Sequence, residues 1–270
     1  MKVAVISDIH LDYNEGHDVI GSIAKIVKEN RAEALLIAGD ITQDVCLTIS
    51  AVNEIEQLCS TPVYYVPGNH DMWRSDNSKY SSTEEIYEKF VSDPHCISGK
   101  SVVLGTHRLI GDIAWFDYSF GDSCFNSADF DTMEHMGRTW QDKLFNDWSS
   151  QNVATSNRFI LEIENTMKKY PNDRFCVMTH MLPIKEFTVP TTIEMWKFFN
   201  AFLGTDKLGE LYKKYNVDYS ICGHVHYRYT IVKDSINYLC RCLNYQSEWR
   251  EQEGLTCYEQ VNDSFDFIEL

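Results

Sequence analysis

The first seventy residues alternate between short apolar runs and longer segments with helical spacing, and this alternation limits the fold more than any other feature of the sequence. Apolar runs at 3–6, 34–38 and 63–66 predict buried strands. The spacing of apolar residues in 20–27 and 45–58 predicts a helix in each of the two intervals between them. We therefore expect a βαβαβ unit with parallel strands and right-handed crossovers.

A polar cluster follows each of these three predicted strands. The clusters are Ser7-Asp8-Ile9-His10, Gly39-Asp40 and Gly68-Asn69-His70-Asp71. In open α/β sheets, ligands bind at the carboxyl ends of the strands. Three polar clusters at one edge of a sheet therefore indicate a functional site there.

The second half of the chain resumes the strand pattern after an interruption. β-like runs at 101–105 and 107–116 precede an aromatic and polar segment, residues 117–156, that has no clear strand. We expect this segment to be an insertion of short helices and loops that forms a lid over the carboxyl ends of the strands. Further elements are predicted as a helix at 158–170, a strand ending at His180, a helix at 208–215, a strand ending at His224 and His226, and short strands around a turn at Lys233-Asp234. A chain of 270 residues fits a single domain spanning 1–270.

The composition narrows the class of partner. Forty acidic against twenty-four basic residues leave a formal charge of -16, which repels long nucleic acids and anionic membranes. A small phosphorylated substrate can still bind if cations are held locally. The nine cysteines contain no CxxC pair and are expected to be buried, reduced thiols. With an amino-terminal apolar run too short for a signal peptide, we expect a cytoplasmic protein.

Eight side chains at the predicted strand ends can carry chemistry. They are Asp8, His10, Asp40, Asn69, His70, His180, His224 and His226. Imidazoles together with carboxylates suit Mn, Fe or Zn better than Mg or Ca. Without His70, seven candidates remain, which exceeds one tetrahedral site and would be used fully by two ions sharing a carboxylate. Alternate residues on an extended chain project to the same side, so Asp8 and His10 should reach one ion.

The ordered motifs DIH, GD, GNHD, TH and GHVH, between residues 8 and 226, resemble the calcineurin-like metallophosphoesterase superfamily. The resemblance implies an α/β fold, a four-layer αββα sandwich of two mixed sheets flanked by helices. It also implies two divalent or mixed-valence ions, of which Mn and Fe are favoured and Zn is an alternative. By position, Asp8, His10 and His226 would bind one ion, Asp40 would bridge, and Asn69, His180 and His224 would bind the other.

The resemblance assigns a different part to His70. In the family, the histidine of this turn is not a ligand but faces the phosphate and protonates the leaving oxygen. An aspartate three residues after the bridging one usually orients that histidine, and here the position is Gln43. Asp44, Gln43 and Asp71 are the three candidates for the orienting residue, and the sequence leaves the choice open.

Arg138 is a further candidate for substrate binding, whereas the other notable residues are expected to have only structural roles. Arg138 could pair with a substrate phosphate through its planar fork. Trp115 and Trp140 are expected in a small aromatic core under the lid, and Asp142 and Lys143 as surface charges. Four histidines match no predicted element and are expected in solvated loops: His17, His95, His107 and His135.

The sequence therefore predicts a metal-dependent phosphoric ester hydrolase, a phosphomonoesterase or phosphodiesterase. Two ions would activate a water for in-line attack, and His70 would be the general acid. The alternatives are a nuclease or cyclic-nucleotide phosphodiesterase of the same superfamily, and an inactive scaffold. The complete set of ligands and the presence of His70 argue against the scaffold. Nothing in the sequence predicts the oligomeric state.

Overall fold

The predicted βαβαβ unit is present and forms most of a four-stranded sheet. The computed structural model describes residues 1–74, 78–249 and 254–270. The strands of this sheet are β1 (Lys2–Ile6), β2 (Ala34–Ala38), β3 (Val63–Val66) and β12 (Asp266–Glu269). Their order is β12-β1-β2-β3, with β1, β2 and β3 parallel and β12 antiparallel to β1.

Helices cover the outer face of this sheet. They are α1 (Val19–Glu29), α2 (Val45–Cys59), α3 (Thr83–Ser92) and α9 (Cys257–Ser264). The carboxylates of Asp18 and Asp44 cap α1 and α2 by accepting from backbone N–H groups of the first turn. Helix α1 packs against both α2 and α9, and α3 packs against α2.

A six-stranded mixed sheet forms the second half of the fold. Its strands are β4 (Ser101–Leu104), β5 (His107–Asp112), β8 (Arg174–Thr179), β9 (Val217–Cys222), β10 (Arg228–Lys233) and β11 (Ile236–Arg241). The order is β10-β11-β9-β8-β5-β4, and the edge strands β10 and β4 are antiparallel to their neighbours. The turn between β10 and β11 places Asp234 and Ser235 at positive φ, as tight hairpins require.

Two helices accompany the second sheet. Helix α6 (Asn152–Lys169) packs against β5, and α8 (Asp206–Tyr212) packs against α6. Helix α6 begins at Asn152 rather than at the predicted 158, so its first turn lies inside the segment expected to be an insertion. Helix α8 ends three residues before the predicted 215.

The rest of the insertion contains short elements, as expected, and one hairpin that was not predicted. The elements are α4 (Ser127–Asp131), β6 (Glu134–His135), β7 (Arg138–Thr139) and α5 (Asp142–Phe145). Strands of two residues carry no periodicity, which is why the β6–β7 hairpin left no signal in the sequence. A second irregular segment, which the sequence did not predict, contains α7 (Trp196–Phe199).

A buried cluster between the two sheets establishes the four layers. It joins alternate residues of the first sheet, such as Val3, Val5 and Leu36, to residues of the second, such as Met178 and Leu239. Alternation along each strand sends the other residues toward the helices. The expected sandwich of two mixed sheets flanked by helices is therefore confirmed. The single-domain organisation stays a prediction.

The cysteines and the remaining histidines differ in part from expectation. All nine cysteines are free thiols and six are buried, but Cys46 and Cys124 are exposed. The loop prediction is wrong for His107, which lies buried in β5 with its Nε2 3.0 Å from Asp218. The other three lie at a surface: His17 beside Trp249, His95 between Glu56 and Asp93, and His135 in β6 against Phe198. Among the described helices, none is both long and apolar enough to cross a bilayer.

Candidate metal centre

Asp8 and His10 follow β1 in a tight loop. Their φ angles are 50° and 40°, and the His10 backbone N–H donates to the carbonyl of Asp40. The expected geometry of alternate residues on an extended chain is therefore wrong. The two side chains nevertheless converge, since His10 Nε2 lies 4.0 Å from Asp8 Oδ1.

Asp40, which follows β2, lies between the other candidates. Its Oδ1 accepts from the His70 backbone N–H at 2.9 Å. Its Oδ2 lies 3.4 Å from His180 Nε2 and 3.8 Å from His10 Nε2. Burial opposes ionisation, but the imidazoles of His180 and His70 outweigh it and hold the pKa of Asp40 well below its usual range. Asp40 is thus an anion that faces candidate ligands on both sides.

One group of donor atoms contains Asp8, His10 and His226. His10 Nε2 lies 3.1 Å from His226 Nε2, which in turn lies 3.7 Å from Asp8 Oδ1. These residues come from the ends of β1 and β9, one in each sheet. The side chains of Asp8 and His10 are buried, and that of His226 is partly exposed.

A second group contains Asp40, His180 and His224, and Asn69 joins it. His180 Nε2 lies 3.0 Å from Asn69 Oδ1 and 3.2 Å from His224 Nδ1. These side chains follow β2, β8, β3 and β9, so this group too combines both sheets. Asp40 lies beside both groups, as a shared ligand would.

The spacing of these atoms fits two metal ions. Metal bonds of about 2.0–2.2 Å to nitrogen and oxygen place neighbouring ligand atoms about 3.0–3.4 Å apart in tetrahedral or octahedral geometry. The distances given above between donor atoms run from 3.0 to 4.0 Å, and the imidazole and carboxylate donors of each group all lie within 4.8 Å of one another. The residues present therefore fit a dinuclear centre.

The second nitrogen of three candidate ligands is held by the protein. His180 Nδ1 lies 2.9 Å from the Ala38 carbonyl, His226 Nδ1 lies 2.7 Å from Glu248, and His224 Nε2 lies 3.3 Å from the Phe202 carbonyl. Such contacts fix the tautomer and direct the other nitrogen toward the metal. They indicate that His180 and His226 would bind through Nε2 and His224 through Nδ1.

The backbone of the candidate ligands is unusual. Positive φ angles occur at Asp8, His10, Asp40, His224 and His226. Non-glycine residues rarely adopt this conformation, and strained positions cluster at functional sites. At Gly68 a Cβ atom would collide with Asp40 Oδ1, so only glycine permits this approach.

His70 faces the same space but has different surroundings. Its ring stacks on Trp73 with centroids 3.7 Å apart, and its Nε2 lies 3.3 Å from the Tyr245 hydroxyl. Its Nδ1 is buried without a hydrogen-bond partner among the described residues. Burial lowers the pKa of His70 to about 4, although the Asp40 carboxylate opposes this.

None of the three candidate orienting residues contacts the His70 imidazole. Asp44 caps α2, and Gln43 Nε2 donates to the Tyr13 hydroxyl at 2.8 Å. Asp71 accepts from the backbone N–H groups of 41, 42 and 68 and from the Thr48 hydroxyl. Asp71 therefore braces the loops that carry Asp40 and Asn69.

Asp142 is not the surface charge that the sequence predicted. It is 3% exposed, and its carboxylate accepts from Asn69, Trp73, Trp140 and Asn146. Burial raises the pKa of Asp142, while the hydrogen bonds from Trp73 and Asn69 oppose that rise. Lys143, by contrast, is at the surface as expected, paired with Glu134.

A cavity of about 710 Å³ lies above the two groups. Its lining includes polar and ionisable residues such as His70, Tyr245 and Glu248. It also includes apolar and aromatic residues: Trp140, Phe145, Val189, Trp196 and Leu203. Trp115 is buried in the aromatic core, as predicted, whereas Trp140 stacks on Phe202 and also lines the cavity.

Arg138 is exposed on β7, and its neighbours Thr139 and Trp140 line the cavity. Its contact with a substrate phosphate stays a prediction.

A four-layer sandwich with paired carboxylate and imidazole groups at the strand ends defines the class of metallophosphoesterases. A family model described as calcineurin-like phosphoesterase matches residues 1–228, and the chain belongs to this family. Its members are phosphoric ester hydrolases with dinuclear metal centres.

Individual relatives are distant. The acyl-carrier-protein phosphodiesterase PptH of Mycobacterium tuberculosis is 20% identical, over 95% of this chain and 82% of the relative. The crystal structure of Phosphopantetheinyl Hydrolase (PptH) from that organism matches with a TM-score of 0.76 and 17% identity, covering 95% and 94% of the two chains. A dimetal phosphatase from Danio rerio matches with a TM-score of 0.53 and 12% identity, covering 89% and 86%. At these identities, the structural matches establish the fold alone.

Four residues near the site were missed by the reasoning from sequence: Trp73, Asp142, Tyr245 and Glu248. Trp73 follows GNHD closely, and that proximity was a usable signal. The other three come from the insertion and from the segment after β11, where no strand end or motif marks them. Their positions depend on tertiary structure.

Proposed function

We propose that this protein hydrolyses phosphodiesters with two metal ions bound by seven of its residues. Asp8, His10 and His226 would hold the first ion; Asn69, His180 and His224 would hold the second; and Asp40 would contact both. The observation that carries the proposal is the shared position of Asp40 between two groups of donor atoms at ligand-like spacing. The mix of imidazole and carboxylate ligands favours Mn and Fe, with Zn as an alternative.

When bound, the two ions would supply an activated water and neutralise charge on the phosphoryl oxygens. The residues of the chain have their own parts. Asp40, which lies between the two groups of donor atoms, would be the ligand that the two ions share. His70, whose ring stacks on Trp73, would donate a proton to the leaving oxygen from the cavity side. Because burial lowers its pKa to about 4, the negative charge of the bound phosphate would have to raise that pKa for the ring to hold the proton near neutral pH. Its Nε2 already faces a hydroxyl, that of Tyr245, which marks where a substrate oxygen could approach.

The cavity supports a diester in preference to a monoester. A monoester needs room for one organic group, whereas the cavity of about 710 Å³ has, besides the candidate ligands, an apolar wall that includes Trp140, Trp196 and Leu203. A diester with an extended organic arm could place its phosphate on the ions and its arm along this wall. The phosphodiester between phosphopantetheine and an acyl carrier protein has this form, and a relative is an acyl-carrier-protein phosphodiesterase.

The inserted segment, the net charge and the cysteines support three further parts of the proposal: a lid, the substrate class and the cellular location. Residues 117–156 would act as a lid, because Trp140 and Asp142 from this segment line the cavity. The net charge of -16 disfavours long nucleic acids as substrates. Nine free cysteines suit a reducing compartment, and we propose a cytoplasmic location.

The test compares substrates and a histidine variant in the presence of Mn²⁺. The wild type should hydrolyse bis(p-nitrophenyl) phosphate faster than p-nitrophenyl phosphate and should release phosphopantetheine from a holo acyl carrier protein, measured by intact-protein mass. His70→Ala should keep its metal content and lose about 100-fold or more in kcat on the holo acyl carrier protein, whose alkoxide leaving group needs a proton, as loss of a general acid does. The p-nitrophenyl esters leave as a stable phenolate and should lose less. His95→Ala, a histidine paired with Glu56 away from the cavity, is the matched control and should keep wild-type kcat.

Two outcomes would reject parts of the proposal. Unchanged turnover in His70→Ala would remove its assignment as the acid. Preference for the monoester, for cyclic nucleotides or for single-stranded nucleic acid over both diesters would replace the substrate class.

A further inference from the structure

Asp142 accepts hydrogen bonds from four side chains, and all of them are N–H donors. Its Oδ1 accepts from Trp73 Nε1 at 2.7 Å, from Asn69 Nδ2 at 2.9 Å and from Asn146 Nδ2 at 2.9 Å. Its Oδ2 accepts from Trp140 Nε1 at 2.7 Å. Only an acceptor without protons, such as a carboxylate, can satisfy four donors that converge in this way.

One of the four donors belongs to a candidate metal ligand. The side-chain amide of Asn69 has two different ends, and its Oδ1 lies 3.0 Å from His180 Nε2, on the side of the second group. A reversed amide would turn its N–H₂ toward that group and its oxygen toward the Asp142 carboxylate. The N–H₂ end cannot bind a cation, and the two oxygens would repel. The acceptor at Asp142 therefore selects the amide orientation that can bind a metal.

A second donor connects Asp142 to His70. Trp73 lies between two rings, with its centroid 3.7 Å from that of His70 and 4.8 Å from that of Phe145. Both contacts are near parallel, at 26° and 28°. Since the indole N–H is fixed by Asp142, the plane on which the His70 ring rests is fixed as well.

We propose that Asp142 is a positioning residue that acts on the second metal position through Asn69 and on His70 through Trp73. It lies at the start of α5 in the inserted segment, so the insertion contributes to the centre as well as covering it. The proposal rests on the dinuclear centre proposed above. The sequence predicted that metal affinity depends on residues at the strand ends alone. Asp142 would make it depend on a residue of the insertion as well.

The test measures Mn²⁺ binding by titration calorimetry, with bis(p-nitrophenyl) phosphate turnover as a second readout. In Asp142→Ala the Asn69 amide loses the acceptor that orients it. Affinity for the second ion should fall by about 10- to 100-fold, the range seen when the outer partner of a ligand is removed. Affinity for the ion at Asp8, His10 and His226 should not change. In Asp142→Asn the remaining oxygen can still face Asn69, and the second-ion affinity should recover to within about threefold of wild type.

Asp147→Ala is the matched control. Asp147 also accepts four hydrogen bonds and also anchors the insertion, but its donors are Arg74 and Thr83 rather than a candidate ligand. This variant should keep both Mn²⁺ affinities. If only anchoring of the insertion mattered, Asp142→Ala and Asp147→Ala would behave alike, and the proposal would be wrong.

The remaining outcomes are also decisive. Wild-type affinity for both ions in folded Asp142→Ala would overturn the proposal. Should that variant fail to fold, Asp142→Ser, which leaves space for water, is judged by the same affinities. A wild-type protein that binds two ions yet hydrolyses no phosphoester would reject the proposed function and leave the assignment of Asp142 intact.

Discussion

At the scale of residues, the two groups of candidate ligands differ in charge and in the partners of their imidazoles. The first contains the Asp8 carboxylate and includes His226, whose Nδ1 meets the carboxylate of Glu248. In the second, the shared Asp40 is the only carboxylate among the candidate ligands, and its imidazoles contact backbone carbonyls. A carboxylate partner makes an imidazole a stronger donor. If two ions bind as proposed, we therefore expect the first position to hold the tighter or more highly charged ion of a mixed pair.

A buried carboxylate outside the site gives a prediction about stability. Asp112 is 1% exposed and accepts from the Tyr87 hydroxyl and the Ile113 backbone N–H. Burial raises its pKa from 3.8 to about 7. Between about pH 4 and pH 7 the folded state thus holds a proton that the unfolded state has released. The contribution of Asp112 to stability is therefore complete below pH 4 and is lost as the pH rises to 7.

Asp112→Asn removes this proton and keeps an acceptor oxygen. The free energy of unfolding of wild type minus that of the variant should fall by about 1.4 kcal/mol per pH unit between pH 4 and 7 and then level off. Urea unfolding at a series of pH values measures it. A flat difference for Asp112→Asn would contradict the prediction.

At the scale of elements, the sequence predicts strands and long helices well because their periodicity reports burial directly. β2 matches its prediction of 34–38, and the polar clusters indeed follow β1, β2 and β3. The insertion could not be predicted in the same way. Asp142 looked like a surface charge since two of its donors, Asn69 and Trp73, lie about 70 residues away along the chain, which no local pattern reveals. The short helix α7 likewise owes its position to packing.

The segment around α7 contributes apolar residues to the wall of the cavity, and Trp196 is its largest residue there. If an extended organic arm lies along this wall, Trp196→Ala should raise KM for a holo acyl carrier protein by about tenfold, since burial of such a side chain contributes roughly 1.5–3 kcal/mol. The kcat for bis(p-nitrophenyl) phosphate, which has no long arm, should stay near wild type. Tyr229→Ala, an exposed aromatic on β10, should change neither value. Equal losses of activity on both substrates would show instead that Trp196 supports the structure of the site and does not contact the organic arm.

At the scale of the whole molecule, the candidate centre lies where the two sheets meet. The end of β1 continues alongside the end of β11, because Ser7 N–H donates to the Arg241 carbonyl and Leu243 N–H to that of Ser7. The first sheet supplies Asp8, His10, Asp40 and Asn69, and the second supplies His180, His224 and His226. Two bound ions would therefore connect the sheets in addition to the apolar cluster between them.

This arrangement predicts that metal binding stabilises the entire fold. Ions that bind the folded chain alone should add about 2.7 kcal/mol to the free energy of unfolding for each site when free Mn²⁺ is 100 times its dissociation constant. Denaturant unfolding with Mn²⁺ and after chelation measures the gain. His180→Ala should lose the part of this stabilisation that comes from the second site. His95→Ala should keep all of it, because the His95 ring contacts Glu56 and Asp93 and no candidate ligand. If wild type is equally stable with and without Mn²⁺, either the unfolded chain binds the ions as well as the folded chain does or the centre does not form. Direct titration of the folded protein with Mn²⁺ distinguishes these two cases.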